Sequence, residues 1–261
     1  MFKNVILFPH KGGQLKTGVE KAPFIFKHFF NNTLNVIETE TDEKYFFNNI
    51  KNLYYENKKI HGRRINFGGD HSMSIATVAD SLNRYNKELK VLWIDAHCDL
   101  NTYESSDSKN YHGMPLSFLT GMDYNSNFDF IKNNLSFDQL MYIGIRDIDP
   151  YEKEQLEKYN IKYIKTHELK ESYDMINNFV GSSPLHVSFD VDSIYHRDIP
   201  STGTPVKGGI PLNQGIKLMK FLMNKNIVSF DITEINLDLG SSINKITSFN
   251  NIIRLFKKPL F

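Results

Sequence analysis

The sequence predicts a doubly wound α/β fold, in which helices cover both faces of a parallel sheet. Short apolar segments rich in β-branched residues recur along the 261-residue chain, and stretches with helical spacing separate them. Several of these segments, such as residues 91–94, lack polar alternation, as expected of strands that are buried on both faces. Polar residues directly follow several of the segments, at the carboxyl edge where ligands bind in folds of this class.

Seven segments are predicted to form strands, because each is short, apolar and followed by turn-forming or polar residues. The weakest of them is the second along the chain. The predicted strands are residues 5–8, 34–38, 65–67, 91–94, 141–145, 185–189 and 228–232.

The helical stretches are predicted from spacing and from their first residues. Ile75, Val78, Ala79 and Leu82 follow the i, i+3, i+4, i+7 pattern of an amphipathic helix. A second helix is expected over residues 150–159, since proline suits a first helical turn. Two more are expected over residues 212–224 and 246–256. No repeat, linker or low-complexity segment interrupts the pattern, so residues 1–261 are expected to form one domain.

The composition excludes several classes of function. The 31 basic and 30 acidic side chains leave a formal net charge of +1, and no block of like charge favours nucleic acid or membrane surfaces. The single cysteine, Cys98, rules out a disulfide within the chain and is expected to be a packed, non-catalytic thiol. No apolar run is long enough for a signal peptide or a membrane span. We therefore expect a soluble cytoplasmic protein.

The polar residues after the predicted strands have a spacing that brings them together. Asp95, His97 and Asp99 stand at i, i+2 and i+4, and residues with this spacing point to the same side of an extended segment. Asp190 and Asp192 repeat the spacing after another strand. Each motif alone is also typical of a strand end or a helix cap. Their coincidence after several buried strands favours a common site.

A cluster of four carboxylates would be electrostatically prohibitive without cations, and two divalent ions resolve the problem. The donors are mainly oxygen with some nitrogen and no thiolate, which favours Mn²⁺, although Fe²⁺, Co²⁺ or Ni²⁺ also fits. Such metal pairs activate water in hydrolases. The candidate metal ligands are His71, Asp95, His97, Asp99, Asp190 and Asp192.

These motifs resemble the signature segments of the arginase, agmatinase and formimidoylglutamase (ureohydrolase) family. The resemblance covers most of the chain, and the motifs are very specific in combination. The three strongest segments are residues 68–72 (GGDHS), 95–101 (DAHCDLN) and 188–192 (SFDVD). Further segments are residues 143–150 (IGIRDIDP), 202–205 (TGTP) and 231–236 (DITEIN), with a weaker match around residues 18–20.

The resemblance implies a three-layer α/β/α fold with a mainly parallel eight-stranded sheet and two Mn²⁺ per subunit. It implies hydrolysis of a guanidinium group, with release of urea and a primary amine. By position, His71 and Asp99 would hold one metal and His97 and Asp192 the other. Asp95 and Asp190 would bridge the two ions.

Within the family, the segment after residue 101 is most similar to arginase, which implies L-arginine as substrate and L-ornithine and urea as products. Agmatinases need no group to bind an α-carboxylate. The residues implied for the α-carboxylate are Asn101, Ser106 and Ser108. Those implied for the α-ammonium group are Asp149 and the helper Glu152, and Thr204 is counted with the substrate-binding residues. Agmatine, another guanidino compound, or a non-catalytic binding role remain the alternatives.

Three residues are assigned to the chemistry on the basis of the resemblance. Asp99 would orient the attacking hydroxide, Glu234 would pair with the guanidinium group, and His112 would protonate the departing amine. The chain departs from the family at Tyr195-His196, where arginases usually have Asp-Pro, and at Leu237. It is also short after Glu234, so the family's trimeric or hexameric assembly is an open expectation.

Overall fold

The computed structural model describes residues 2–28, 34–42 and 44–260, in which eight strands alternate with eight α-helices. The strands are β1 (Asn4–Phe8), β2 (Asn35–Glu38), β3 (Arg64–Gly68), β4 (Lys90–Ile94), β5 (Leu140–Ile143), β6 (Lys162–Ile164), β7 (Leu185–Asp190) and β8 (Ile227–Thr233). The helices are α1 (Ala22–Lys27), α2 (Phe46–Lys59), α3 (Ser74–Tyr85), α4 (Pro115–Thr120), α5 (Pro150–Lys158), α6 (Tyr173–Val180), α7 (Leu212–Leu222) and α8 (Ser242–Leu260).

The strands form one sheet in the order β2-β1-β3-β8-β7-β4-β5-β6, and every neighbouring pair is parallel. The expected eight-stranded α/β fold is therefore confirmed. Each predicted strand is present, but the one predicted for residues 141–145 ends at Ile143. Gly144, with φ of +99°, turns the chain there. Strand β6 and helices α1, α2, α4 and α6 were not predicted.

Alternation along the strands produces the three layers. In β1, Val5 and Leu7 belong to one apolar core and Ile6 and Phe8 to the other. The first core is covered by α1, α6, α7 and α8, and the second by α2, α3, α4 and α5. Both faces of the sheet are buried in this way, which explains the uninterrupted apolar strands. None of the helices in the described ranges is both long and apolar enough to cross a membrane.

The sheet order places the strands that carry the candidate residues side by side. The four central strands are β3, β8, β7 and β4, in that spatial order. His71 follows β3, Glu234 follows β8, Asp190 ends β7 and Asp95 follows β4. Because all four strands are parallel, their carboxyl ends meet at the same edge of the sheet.

A buried ion pair connects β3 to the helical layer. Arg64 and Asp80 are 1% and 2% exposed, and their side chains form a direct salt bridge. Arg64 Nε also donates to Asn57 Oδ1 at 2.6 Å, and Arg84 Nε donates to Asp80 Oδ2 at 2.9 Å. Removing one member would leave a buried charge without its partner, which is costly.

We expect Asp80→Asn to lower the free energy of unfolding by about 3–5 kcal/mol, because Arg64 would stay charged and buried. Urea unfolding followed by circular dichroism measures the change. Arg84→Met is the control, since Arg84 is partly exposed and its loss leaves the buried pair intact. Equal losses in the two variants would contradict a special role for the buried pair.

Candidate metal centre

His71 is held by a short turn directly after β3. Gly69 has no room for a side chain, because a Cβ there would lie 1.7 Å from the carbonyl oxygen of His10. The Asp70 side chain caps the 3₁₀ turn that follows, accepting from the Ser72 backbone N–H at 3.0 Å. The His71 ring stacks on Trp93, and its Nε2 contacts Ser188 Oγ at 2.8 Å. These contacts leave Nδ1 facing the carboxylates.

The segment after β4 reaches the site by a different geometry from the one predicted. The sequence predicts an extended run through Asp99, but β4 ends at Ile94 and Asp99 has a φ of +52°. The extended-strand prediction is therefore wrong at this residue, and a left-handed turn directs its carboxylate. Cys98 packs in the apolar core as expected, and burial raises the pKa of its thiol.

Asp190 and Asp192 enter the site from the end of β7. Asp190 is the last residue of the strand, and its Oδ1 accepts from the Asp192 backbone N–H at 2.8 Å. Asp192 lies in the 3₁₀ turn Val191–Ser193 rather than in an extended segment. Its Oδ1 accepts from the Ala96 backbone N–H at 3.1 Å, which joins this turn to the segment after β4.

Five of the six candidate ligands come together as two groups of three that share Asp95. In the first, His71 Nδ1 lies 3.0 Å from Asp95 Oδ2 and 3.0 Å from Asp99 Oδ2. In the second, His97 Nδ1 lies 3.5 Å from Asp95 Oδ1 and 3.1 Å from Asp192 Oδ2. Each group has the ligand types and the spacing that can hold a metal ion.

Asp190 lies beside the first group, with its Oδ2 3.4 Å from His71 Nδ1. Burial and the charges of Asp192 and Asp95 raise its pKa well above the usual range. Burial and the charge of Asp95 raise the pKa of Asp99 to about 6. These carboxylates would compete for protons in the absence of cations.

The buried atoms at the centre fit a pair of cations. His71 Nδ1 and Asp99 Oδ2 are buried 3.0 Å apart, neither makes a hydrogen bond of regular geometry within the described part of the chain, and each is a suitable metal ligand. The donor set is oxygen-rich, contains two imidazole nitrogens and has no thiolate, as expected for Mn²⁺ or a similar ion. The residues present therefore fit the metal pair that the sequence predicts.

Glu234 and His112 lie next to this centre. Glu234 is 1% exposed and has a φ of +64°, so the chain turns sharply after β8. Its Oε1 accepts from the His71 backbone N–H at 2.9 Å and lies 3.1 Å from His112 Nδ1. Burial opposes protonation of His112, but the hydrogen bond and charge of Glu234 raise its pKa above the ordinary value.

Gln14 contacts Glu234, and the sequence did not predict this contact. Its Nε2 donates to both carboxylate oxygens of Glu234, at 3.0 Å and 2.8 Å. It lies on the loop after β1, where no strand end or metal-ligand spacing draws attention to it. The only signal was its place just before the weak N-terminal family match.

A cavity of about 300 Å³ opens above the centre. Most of the predicted site residues line it, whereas Asp95, Asp192 and Glu234 are buried and do not. The predicted residues on its wall are His71, His97, Asp99, Asn101, Ser106, Ser108, His112, Asp149, Glu152, Asp190 and Thr204. Asp107 and Asp147 share this wall and were not predicted.

The outer wall is a set of hydrogen-bonding groups on two loops. Asn101 Nδ2 donates to Asp149 Oδ2 at 2.8 Å, and Ser106 Oγ lies 3.5 Å from Ser108 Oγ. Asp149 and Glu152 also form the capping box at the start of α5, so both carboxylates are held by backbone N–H groups of that helix start. Burial raises the pKa of Glu152 to about 7.

Arg146 is a second residue that the sequence analysis did not single out. Its Nη2 donates to the carbonyl oxygens of Asp192 and Val206, at 2.8 Å and 3.0 Å. It thereby joins the turn that carries Asp192 to the segment that carries Thr204, whose Oγ1 donates to Asp192 Oδ2 at 3.4 Å. Tyr195, at the departure from the family, lies on the neighbouring loop and does not line the cavity.

Comparison with known proteins agrees with this geometry. The chain is 32% identical to the arginase of Saccharomyces cerevisiae over 91% of this chain and 88% of the yeast protein. It is 39% identical to the arginase of Neurospora crassa over 68% of this chain, but spans only 54% of that protein. The Entamoeba histolytica arginase structure with L-ornithine superimposes with a TM-score of 0.89 at 28% identity, covering 98% of this chain and 99% of the other.

The family model described as "Arginase family" matches residues 13–254, which include every candidate ligand and both Glu234 and His112. Because this match spans most of the chain and the fold and relatives agree with it, the chain belongs to the arginase family.

Proposed function

We propose that the protein is a binuclear manganese hydrolase that converts L-arginine and water to L-ornithine and urea. The observation that supports this most is the pair of His/Asp groups that share Asp95 beneath a cavity of about 300 Å³. A shared carboxylate between two metal-binding groups is the arrangement expected of a two-metal hydrolase.

In this proposal, His71 and Asp99 would hold one ion, His97 and Asp192 would hold the other, and Asp95 and Asp190 would be ligands of both. When bound, the two ions supply Lewis acidity and a water molecule that ionises near neutral pH. Mn²⁺ is proposed because the donor set is oxygen-rich. Asp99 lies on the cavity wall, where its carboxylate can accept a hydrogen bond from the attacking water and orient it.

The guanidinium group and the leaving amine are assigned to two neighbouring side chains. Glu234 carries a negative charge beside the centre, and a carboxylate matches the N–H donors of a planar guanidinium. His112 lines the cavity and contacts Glu234 Oε1 through Nδ1, which leaves Nε2 to deliver a proton to the departing amine. An amine leaves far more readily as a neutral molecule than as an anion.

The outer wall favours an amino-acid substrate. Asn101, Ser106 and Ser108 offer donors to an α-carboxylate, and Asp149 with Glu152 offers acceptors to an α-ammonium group. Thr204 completes the wall near Asp192. This argument favours L-arginine over agmatine, which has no carboxylate, and a related arginase has been solved with L-ornithine.

The proposal extends to the protein as a whole. Residues 1–261 are proposed to form one catalytic domain that acts in the cytoplasm on a small-molecule guanidino substrate, and the trimeric or hexameric assembly of the family stays an open expectation. Agmatine or another guanidino compound is the alternative substrate, and a non-catalytic binding protein is the alternative class. Metal-loaded protein that turned over no guanidino compound would favour the latter.

We expect Asp190→Ala to lose bound metal and urea release together, because it removes a carboxylate proposed to bridge the ions. Elemental analysis of the purified protein and a urea assay with added Mn²⁺ measure the two effects. Asp138→Ala, an exposed aspartate at the opposite end of the sheet, is the control and should retain both. Full metal content and activity in Asp190→Ala would refute the site.

We expect His112→Asn to retain metal but to lower kcat by about 100-fold or more, because general acid catalysis contributes roughly 10²–10⁴-fold. Steady-state kinetics with L-arginine, together with metal analysis, test this. His167→Asn, at an exposed histidine away from the cavity, should behave as wild type. Loss of metal in His112→Asn would show that its role is misassigned.

Substrate choice is tested with L-arginine and agmatine on wild type and Asn101→Ala. Wild type should prefer L-arginine, and the variant should lose about 10- to 100-fold in kcat/KM for arginine, as expected for one hydrogen bond to a charged group. Its activity on agmatine should change little. A wild type equally active on agmatine would defeat the argument from the outer wall.

A further inference from the structure

We propose that Gln14 is a positioning residue for guanidinium recognition, and that its side-chain amide sets the orientation of the Glu234 carboxylate. The inference rests on the proposed function, since the role of Glu234 belongs to that proposal. It concerns a residue outside the metal ligands, on the loop after β1.

The contacts of Glu234 are unequal on its two oxygens. Oε1 accepts from the His71 backbone N–H at 2.9 Å and also contacts His112 Nδ1 at 3.1 Å. For Oε2, the structure gives one hydrogen-bond donor among the described residues, Gln14 Nε2 at 2.8 Å. The same Nε2 lies 3.0 Å from Oε1. A carboxylate only accepts, so the amide must present its nitrogen to it.

These contacts make Gln14 the residue that fixes the plane of the carboxylate. The terminal torsion of a glutamate is broad and not confined to staggered positions. Contacts on Oε1 alone would hold that oxygen but would let the group rotate around it. The backbone of Glu234 is already fixed by its N–H, which donates to the Gly69 carbonyl oxygen at 2.8 Å. The carboxylate could still rotate about the terminal torsion of the side chain, and the hydrogen bonds from Gln14 restrict that rotation.

Acceptor capacity indicates which oxygen is left for the substrate. An ionised carboxylate has about four acceptor positions, two on each oxygen. Three groups surround Oε1, whereas Oε2 accepts from one donor among the described residues and can accept a second hydrogen bond. With Gln14 in place, Oε2 keeps one direction for a guanidinium N–H. Without it, that direction is no longer defined.

The loop that carries Gln14 is itself tied to the site. The Gly13 backbone N–H donates to Asp70 Oδ2 at 2.9 Å, and the His112 backbone N–H donates to the Gly13 carbonyl oxygen at 3.1 Å. Gly13 fits this place because a Cβ would lie 2.6 Å from Asp70 Oδ1. Gly13 and Gln14 thus contact the turn before His71, the loop of His112 and the side chain of Glu234. These hydrogen bonds hold the backbone beside Gln14 in place, and so restrict the position of its side-chain amide.

The test uses full-length, Mn²⁺-loaded Gln14→Met, which keeps the length of the side chain and removes the donor. We expect kcat/KM for L-arginine to fall about 10- to 100-fold, as for loss of one hydrogen bond to a charged group, mainly through a higher KM. The inhibition constant of L-ornithine should stay within about twofold, since ornithine has no guanidinium group. Metal content should not change.

Two further measurements separate positioning from a general effect on the fold. In a Glu234→Gln background, Gln14→Met should cause little additional loss, because the two residues act through one interaction. Gln139→Met is the matched control: it removes a buried amide that donates to the carbonyl oxygens of Asn86 and Leu89, away from the site. It should lower stability and leave the kinetic constants unchanged.

The outcomes distinguish this inference from the proposed function. Wild type that releases no urea from L-arginine would overturn the proposed function and this inference with it. An active wild type with an unchanged Gln14→Met, or a variant that loses ornithine binding and metal as much as arginine turnover, would overturn the inference alone. If Gln14→Met is insoluble, Gln14→Ala replaces it; water can then enter beside Glu234, so the same pattern with a smaller loss is expected.

Discussion

The concentration of negative charge at the carboxyl ends of the central strands is the constraint on which the rest of the site depends. Asp95 is fully buried, and its two oxygens face different imidazoles: Oδ2 contacts His71 and Oδ1 contacts His97. Trp93 Nε1 and the His97 backbone N–H also donate to it, at 3.0 Å and 2.8 Å. The raised pKa values of the neighbouring Asp190 and Asp99 show that negative charge is unfavourable there without a counter-charge. Cations would balance this charge without disturbing the hydrogen bonds that orient the carboxylates, whereas protons would disturb them.

The polar arrangement continues beneath the site, within the sheet itself. Asp231 on β8 is fully buried and accepts from Asn66 Nδ2 at 2.8 Å and from Ser74 Oγ at 3.1 Å, with Thr77 as a further donor. His186 Nε2 lies 3.0 Å away, and against the effect of burial it lowers the pKa of Asp231. These contacts join β3, β7, β8 and α3. Hydrogen bonds thus join β3 and β7, which lead to His71, Asp190 and Asp192, to β8 below the point where the ligands meet, and this supports a rigid site.

The parts of the site that the sequence could predict are those controlled by strand ends. Asp95 and Asp190 follow short, mainly apolar segments, and such segments are recognisable without knowledge of the fold. The orientation of Asp99 was not predictable, because one backbone torsion decides it and a motif does not encode that torsion. Gln14 was missed because its partner lies 220 residues away. The strand Lys162–Ile164 was missed because it is short and exposes two of its three side chains on the sheet edge.

The spatial order of the central strands has a consequence for how the molecule is made. Strand β8 is the last strand in the described chain, yet it lies between β3 and β7. During translation, β3 and β7 are therefore synthesised before β8, the strand that must pair between them. The nascent chain cannot finish its central hydrogen-bonded ladder until residues 227–233 emerge, and this late, non-local pairing is a slow kind of folding step. Maturation of the centre therefore waits until residues 227–233 have left the ribosome.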